Sequence, residues 1–175
     1  MKENAREYLI SLLQRQIPFL VSLFYIFFEY AALDFGRLEI RPMLGISSIF
    51  FWLFNRPDIF NLWSVAVLGS ICGFLSFAPA GLHLFSFLLM YVIEMKLSKY
   101  MSNKLFIINF LSFALILLVV VTSEWVLMTI YYKKAVPFLF IFLSWIVTIC
   151  LYPLVADINL RIAKKFLPEE DFLDG

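Results

Sequence analysis

Two acidic residues, Glu29 and Glu124, lie inside long apolar stretches and are each flanked by aromatic side chains. A charge at membrane depth costs at least about 2.5–3.5 kcal/mol on insertion scales, so such residues are functional candidates. Neither has a charged residue three or four positions away that would complete a proton or ion relay. We therefore expect each carboxyl to form a hydrogen bond, within the protein or to a partner. Glu94 and Asp34, which stand beside basic residues, are expected at the membrane interface.

His83 is the single histidine of the chain and follows Pro79 and Gly81 at the start of an apolar stretch. One histidine cannot build a two-histidine metal site or a histidine-paired nucleophile with a spare base. No serine stands in a Gly-x-Ser-x-Gly motif, and both cysteines lie in apolar runs. We interpret His83 as an interfacial or helix-capping imidazole, and predict no enzyme activity, no cofactor and no metal.

Gly69 and Gly73 form a Gly-x-x-x-Gly motif in a run rich in small residues. In membrane helices this spacing lets two helix backbones approach closely. The motif predicts a packing contact, with a helix of the same chain favoured over a helix of a partner.

The composition places these residues in a membrane. Of the 175 residues, 63% are hydrophobic and only 15% are charged, whereas soluble domains are about 45–50% apolar and about 25% charged. A formal net charge of +1 argues against nucleic-acid binding, which needs a basic surface.

We predict an all-α, polytopic integral membrane protein with six transmembrane helices. The expected spans are residues 17–35, 42–54, 60–77, 82–95, 105–131 and 137–157. The second span is short, and a re-entrant half-helix is the alternative. Residues 1–16 are predicted to form an interfacial amphipathic helix, residues 17–165 the membrane domain, and residues 166–175 a flexible acidic tail.

The basic residues orient these spans. With six spans and a cytoplasmic N-terminus, 10 of the 14 Lys and Arg residues fall on the inner side. This is the direction expected from the positive-inside rule, so both termini are predicted to be cytoplasmic.

The pattern of prolines, glycines and charged residues in the central block, from Arg41 to His83, resembles that of the rod shape-determining MreD family, a family of small bacterial inner-membrane proteins. The residues that carry the resemblance are Arg41-Pro42, Trp52, Arg56-Pro57, Leu68-Gly69 and Pro79-Ala80-Gly81-Leu82-His83, together with the ending from Leu151-Tyr152-Pro153 to Arg161. The resemblance implies a multi-pass protein of the bacterial inner membrane.

The function implied by this resemblance is a non-catalytic scaffold of the elongasome, which supports side-wall peptidoglycan synthesis. Its implied partner is an MreC-like bitopic protein. Through that protein it would be linked to a class B transpeptidase, a SEDS-family glycosyltransferase and an MreB-like actin filament. The alternative is the substrate-binding subunit of an energy-coupling-factor-type vitamin transporter, whose predicted architecture is similar. Its pocket would have to use the few available polar groups, chiefly Glu29, Asn109, Glu124 and Trp125.

Overall fold

The computed structural model describes residues 2–32, 41–76, 78–79, 81–98, 106–134 and 137–167, without the side chains of 2–13 and 32. These ranges form six α-helices and contain no strand, which confirms the all-α prediction. The helices are α1 (Lys2–Ala32), α2 (Leu44–Asn55), α3 (Leu62–Ser76), α4 (Leu82–Leu97), α5 (Phe106–Tyr132) and α6 (Phe138–Phe166). Asp34 and the tail from 168 onward lie outside the described residues.

α1 is one continuous helix of 31 residues, so the predicted boundary between residues 16 and 17 is not a break in structure. Pro18 lies inside it. A proline there removes one backbone hydrogen bond but does not end the helix. The apolar face predicted for residues 1–16 falls on side chains that are outside the described set.

α2 is the centre of the fold. Eleven of its 12 residues are buried, and it packs against α1, α4, α5 and α6. Gly45 lies directly on the Ile26 side chain, where any Cβ would collide. The glycine therefore allows α1 and α2 to pack in close contact.

Aromatic rings fill the space around α2. Phe113 on α5 stacks on Tyr152 of α6 with ring centroids 4.1 Å apart, and Phe50 on α2 lies 5.1 Å from Phe113. The Tyr152 hydroxyl donates to Asn109. Burial of rings of this size supplies much of the packing energy of a core.

The outward faces of the helices are apolar. Trp63 is 78% exposed and Phe74 is 83% exposed, and many further large apolar side chains cover α1, α5 and α6. Two helices, α5 and α6, are long and apolar enough to cross a membrane. At about 1.5 Å per residue, the 27 residues of α5 exceed a hydrocarbon core of about 30 Å. α2 and α3 are shorter apolar helices.

Candidate functional site

A cavity of about 290 Å³ opens at one end of the bundle and is lined by all six helices. The lining comes from the C-terminal ends of α1, α3 and α5 and from the N-terminal ends of α2, α4 and α6. Consecutive helices therefore run in opposite directions. The lining residues are Glu29, Tyr30, Arg41, Met43, Ile46, Cys72, Ser76, His83, Phe87, Glu124, Met128, Phe140, Ile141 and Ser144.

Glu29 caps the N-terminus of α2 from the neighbouring helix. Its Oε2 accepts a hydrogen bond of 3.1 Å from the Gly45 backbone N–H, and the Thr148 hydroxyl of α6 accepts one of 3.0 Å from Met43. The first N–H groups of a helix have no partner within the helix and carry partial positive charge. A carboxylate is well suited to this place. Glu29 thus makes an intramolecular hydrogen bond, which is one of the two alternatives predicted for it.

His83 and Glu124 meet across the cavity wall. The Nδ1 atom of His83 on α4 lies 3.3 Å from Oε1 of Glu124 on α5, and both side chains are largely buried. A protonated imidazole would form an ion pair at this distance. The sequence prediction of an interfacial or capping imidazole therefore missed the main contact of His83.

Arg41 stands at the rim of the cavity, where it is exposed. Its guanidinium lies 5.9 Å from the centroid of the Tyr30 ring, a distance at which a cation is attracted to the ring face. The Tyr30 hydroxyl in turn lies 3.4 Å from Sγ of Cys72. Among the described lining residues, the charge at the rim is that of Arg41, while the deeper wall carries the two carboxyls and the imidazole.

The contact between α3 and α4 fixes the position of His83. A Cβ on Gly69 would lie 3.0 Å from Cα of Leu84 and 3.2 Å from the carbonyl oxygen of His83. A Cβ on Gly73 would meet nothing within 4 Å. The predicted packing contact of this motif therefore exists at Gly69 and within the chain. Gly73 makes no such contact inside the chain, so contact with a partner helix, the other alternative, stays a prediction for it.

The turn before α4 depends on Gly81 and Pro79. Gly81 has a φ of 88°, a left-handed conformation that is costly for residues with a Cβ. The Leu82 N–H donates to the Pro79 carbonyl over 3.1 Å. This turn places His83 in the first turn of α4, facing the cavity.

The remaining residues of the central block lie away from the cavity. Pro42 is buried just before α2, and the Trp52 side chain is fully buried within it. At the other end of α2 the buried Arg56 donates two hydrogen bonds of 3.1 Å to Asp58, across the exposed Pro57. These residues build the bundle and its opposite end.

Electrostatics at that opposite end favour the ionised form of Asp58. Partial burial acts against its charge, but the hydrogen bonds and the positive charge of Arg56 outweigh it and hold the pKa of Asp58 below its usual range.

Glu94 is enclosed by the bundle. Its depth at the membrane interface, expected because Lys96 follows it, stays a prediction, but its side chain is only 1% exposed. Neither of its carboxyl oxygens has a hydrogen-bond partner among the described residues. Asn109 and Trp125 do not line the cavity, so only Glu29 and Glu124 of the predicted polar set belong to it.

The assembled wall suits binding by charge and hydrogen bonds. Among the described residues no three His, Cys, Asp or Glu side chains are placed to hold a metal ion. Spacing in the sequence can reveal charged partners only within one helix, whereas Glu29, His83 and Glu124 come from three different helices. No family model, no curated protein and no solved structure matches this chain.

Proposed function

We propose that this protein is an MreD-type membrane scaffold of the bacterial cell-shape complex, with no catalytic role. It would cross the inner membrane six times, with a short second span and both termini in the cytoplasm. Its direct partner would be an MreC-like bitopic protein, and peptidoglycan synthesis along the side wall would be the process that it supports.

The observation that carries this proposal is where the residues of the resemblance lie. Arg41 is at the cavity rim, Trp52 is in the core, Arg56 holds Asp58, Gly69 is at the closest contact between α3 and α4, and the turn through Gly81 sets the start of α4. These residues have defined structural roles in the bundle, which supports the proposal.

The alternating helix directions support six crossings. Since odd-numbered helices end at the cavity and even-numbered helices begin there, the charge distribution would put the cavity on the outer side. The pair Arg56–Asp58 and the end of α6, with Lys164 and Lys165, would then face the cytoplasm.

A partner helix could pack against the outer face of α3. Ala66, Ser70 and Gly73 recur there at helical spacing and are partly exposed, beside the exposed Val67 and Phe74. Small residues let a second backbone approach closely in a membrane. We therefore propose this face of α3 as the binding surface for the bitopic partner.

Site-specific photocrosslinking in cells tests this function. A crosslinker at Val67 or Phe74 should capture one bitopic membrane protein, and Ile107, exposed on α5, provides a matched lipid-facing control. Depletion of the protein should round the cells. Unchanged cell shape on depletion, together with no captured partner, would contradict the scaffold function.

The cavity favours a second candidate function, a small-molecule-binding subunit of an energy-coupling-factor-type transporter. Binding sites typically combine apolar walls with a few convergent polar groups, and Glu29, His83 and Glu124 converge in this way. Thermal-shift screening of purified protein with vitamin-like compounds tests it, because a ligand of the native state raises the melting temperature.

A further inference from the structure

The cavity has two zones of different charge. Its deep wall holds Glu29 and Glu124, which are 6% and 8% exposed, with His83 as the single base beside Glu124. Of the lining residues that the structure describes, the exposed Arg41 is the charged one at the rim. An occupant that fits both zones has a positive group inside and a negative group outside.

The deep wall prefers a cation. Among the described lining residues, His83 lies beside Glu124 alone, so the deep wall offers more carboxyl oxygens as acceptors than side-chain N–H donors. A carboxylate offers about four acceptor positions, and the bond from Gly45 to Glu29 therefore leaves acceptor capacity on that group. In a site of low dielectric constant, a cation that donates hydrogen bonds to such groups is held strongly.

The cavity has room for a small ligand. Its volume of about 290 Å³ lies close to the lower end of the range of small-molecule pockets, about 300–1,000 Å³. Met43, Ile46, Phe87, Met128 and Ile141 supply apolar walls. A headgroup-sized zwitterion fits this volume.

A primary ammonium group suits these acceptors better than a quaternary ammonium ion. Quaternary ammonium ions have no N–H to donate and are bound by cages of aromatic faces. The face of Tyr30 is already approached by Arg41. Phe87 and Phe140 also line the cavity, but an ammonium group that donates hydrogen bonds can in addition use the carboxyls of Glu29 and Glu124. Three N–H donors on one nitrogen match two carboxyls from different helices.

We propose that this cavity binds a phosphoethanolamine-type zwitterion, with its primary ammonium between Glu29 and Glu124 and its phosphate beside Arg41. The inference rests on the second candidate function, the binding of a small molecule in this cavity, and names its ligand class. The scaffold function does not enter it. The zwitterion is either the headgroup of a membrane lipid or a free soluble compound.

Native mass spectrometry of the full-length protein in detergent separates the two sources. One arm adds phosphatidylethanolamine, phosphatidylcholine or phosphatidylglycerol with identical acyl chains, and the other adds soluble phosphoethanolamine. Preferential retention of phosphatidylethanolamine supports a lipid headgroup, and retention of soluble phosphoethanolamine supports a free ligand. Equal retention of all three lipids, with no binding of the soluble compound, overturns the inference.

Variants locate the binding. Glu124→Gln and Arg41→Gln should each weaken binding about tenfold or more, as expected for a lost charge-assisted hydrogen bond. Glu29→Gln should do the same, since its amide oxygen can still accept from Gly45 and keep α2 capped. Asp157→Asn, on an exposed pair with Arg161 outside the cavity, is the control and should bind as wild type does.

The variant results also separate the inference from the function it rests on. Wild-type affinity in folded Glu124→Gln and Arg41→Gln would overturn the site. If another class of compound stabilises the protein through these same residues, the inference is wrong and the second candidate function stands. If no compound binds, both are wrong.

Discussion

The two glycines of α3 offer a matched pair of substitutions, because only one of them is enclosed. In Gly69→Ala the new methyl would lie 3.0 Å from Cα of Leu84, 3.2 Å from the carbonyl oxygen of His83 and 3.2 Å from Cβ of Phe87. These atoms belong to the helix itself or are attached directly to it, so they cannot rotate away. α3 and α4 must separate slightly. In Gly73→Ala the same methyl meets nothing.

The difference between the two variants isolates the steric cost. Alanine gains about 1 kcal/mol of helix propensity over glycine at either position, so this term cancels in the comparison. Overpacking of a well-packed contact costs about 1–3 kcal/mol. At about 2–4 °C per kcal/mol for a chain of this size, Gly69→Ala should melt roughly 2–12 °C below Gly73→Ala.

Intrinsic tryptophan fluorescence of detergent-purified protein measures both melting temperatures. Gly73→Ala should melt at or slightly above the wild-type temperature. Leucine at each position should enlarge the difference in melting temperature between the two variants, with the Gly69 variant again the less stable. Equal melting temperatures for the two alanine variants would refute the assignment of the close contact to Gly69, and a less stable Gly73→Ala would reverse it.

Three further predictions concern the ends and the interior of the bundle. Asp58→Asn should cost less than about 1 kcal/mol near neutral pH, because the carboxyl is largely exposed to screening solvent. Since the native pKa of Asp58 is lowered, this contribution is complete above the unfolded pKa of about 3.9 and is lost as pH falls through the native pKa; melts at decreasing pH should converge for wild type and variant. Glu94→Leu should raise the melting temperature, because an unsatisfied buried polar group costs about 1–3 kcal/mol; a lower temperature would reveal a partner for this carboxyl. Cysteines introduced at Arg41 and at Lys165 should react with membrane-impermeant maleimide from opposite sides of the membrane, and labelling of both from one side would contradict the six-span topology.

Helix positions could be predicted because apolar runs and their breakers are local features of the sequence. The runs expected at 82–95 and 105–131 correspond to helices at Leu82–Leu97 and Phe106–Tyr132. Length was less predictable at the polar ends of the apolar runs. α1 continues across the boundary expected between residues 16 and 17, and α6 runs on to Phe166, beyond the span expected at 137–157. Hydropathy marks where a helix leaves the membrane and not where the helix itself ends.

The cavity could be predicted only in its parts. Glu29 and Glu124 stood out as charges in apolar sequence, but their relation to His83 depends on how three helices pack. The burial of Glu94 was missed for the same reason, because the adjacent Lys96 indicates a helix end and says nothing about the direction of the Glu94 side chain. Tertiary contacts set the rotation of a helix about its axis. The spacing of residues within one helix therefore does not predict which side chains face the cavity.

α2 sets the distance between the two ends of the protein. It is enclosed on all sides, and its 12 residues connect the Arg41 rim to the Arg56–Asp58 pair over about 18 Å. One inserted residue would turn everything beyond it by about 100° and shift it by about 1.5 Å, which would exchange the faces presented to four neighbouring helices at once. Lipid-facing helices can absorb such a change by sliding or tilting. α2 has no such freedom, so its length should tolerate neither insertion nor deletion, even where individual side chains can be exchanged.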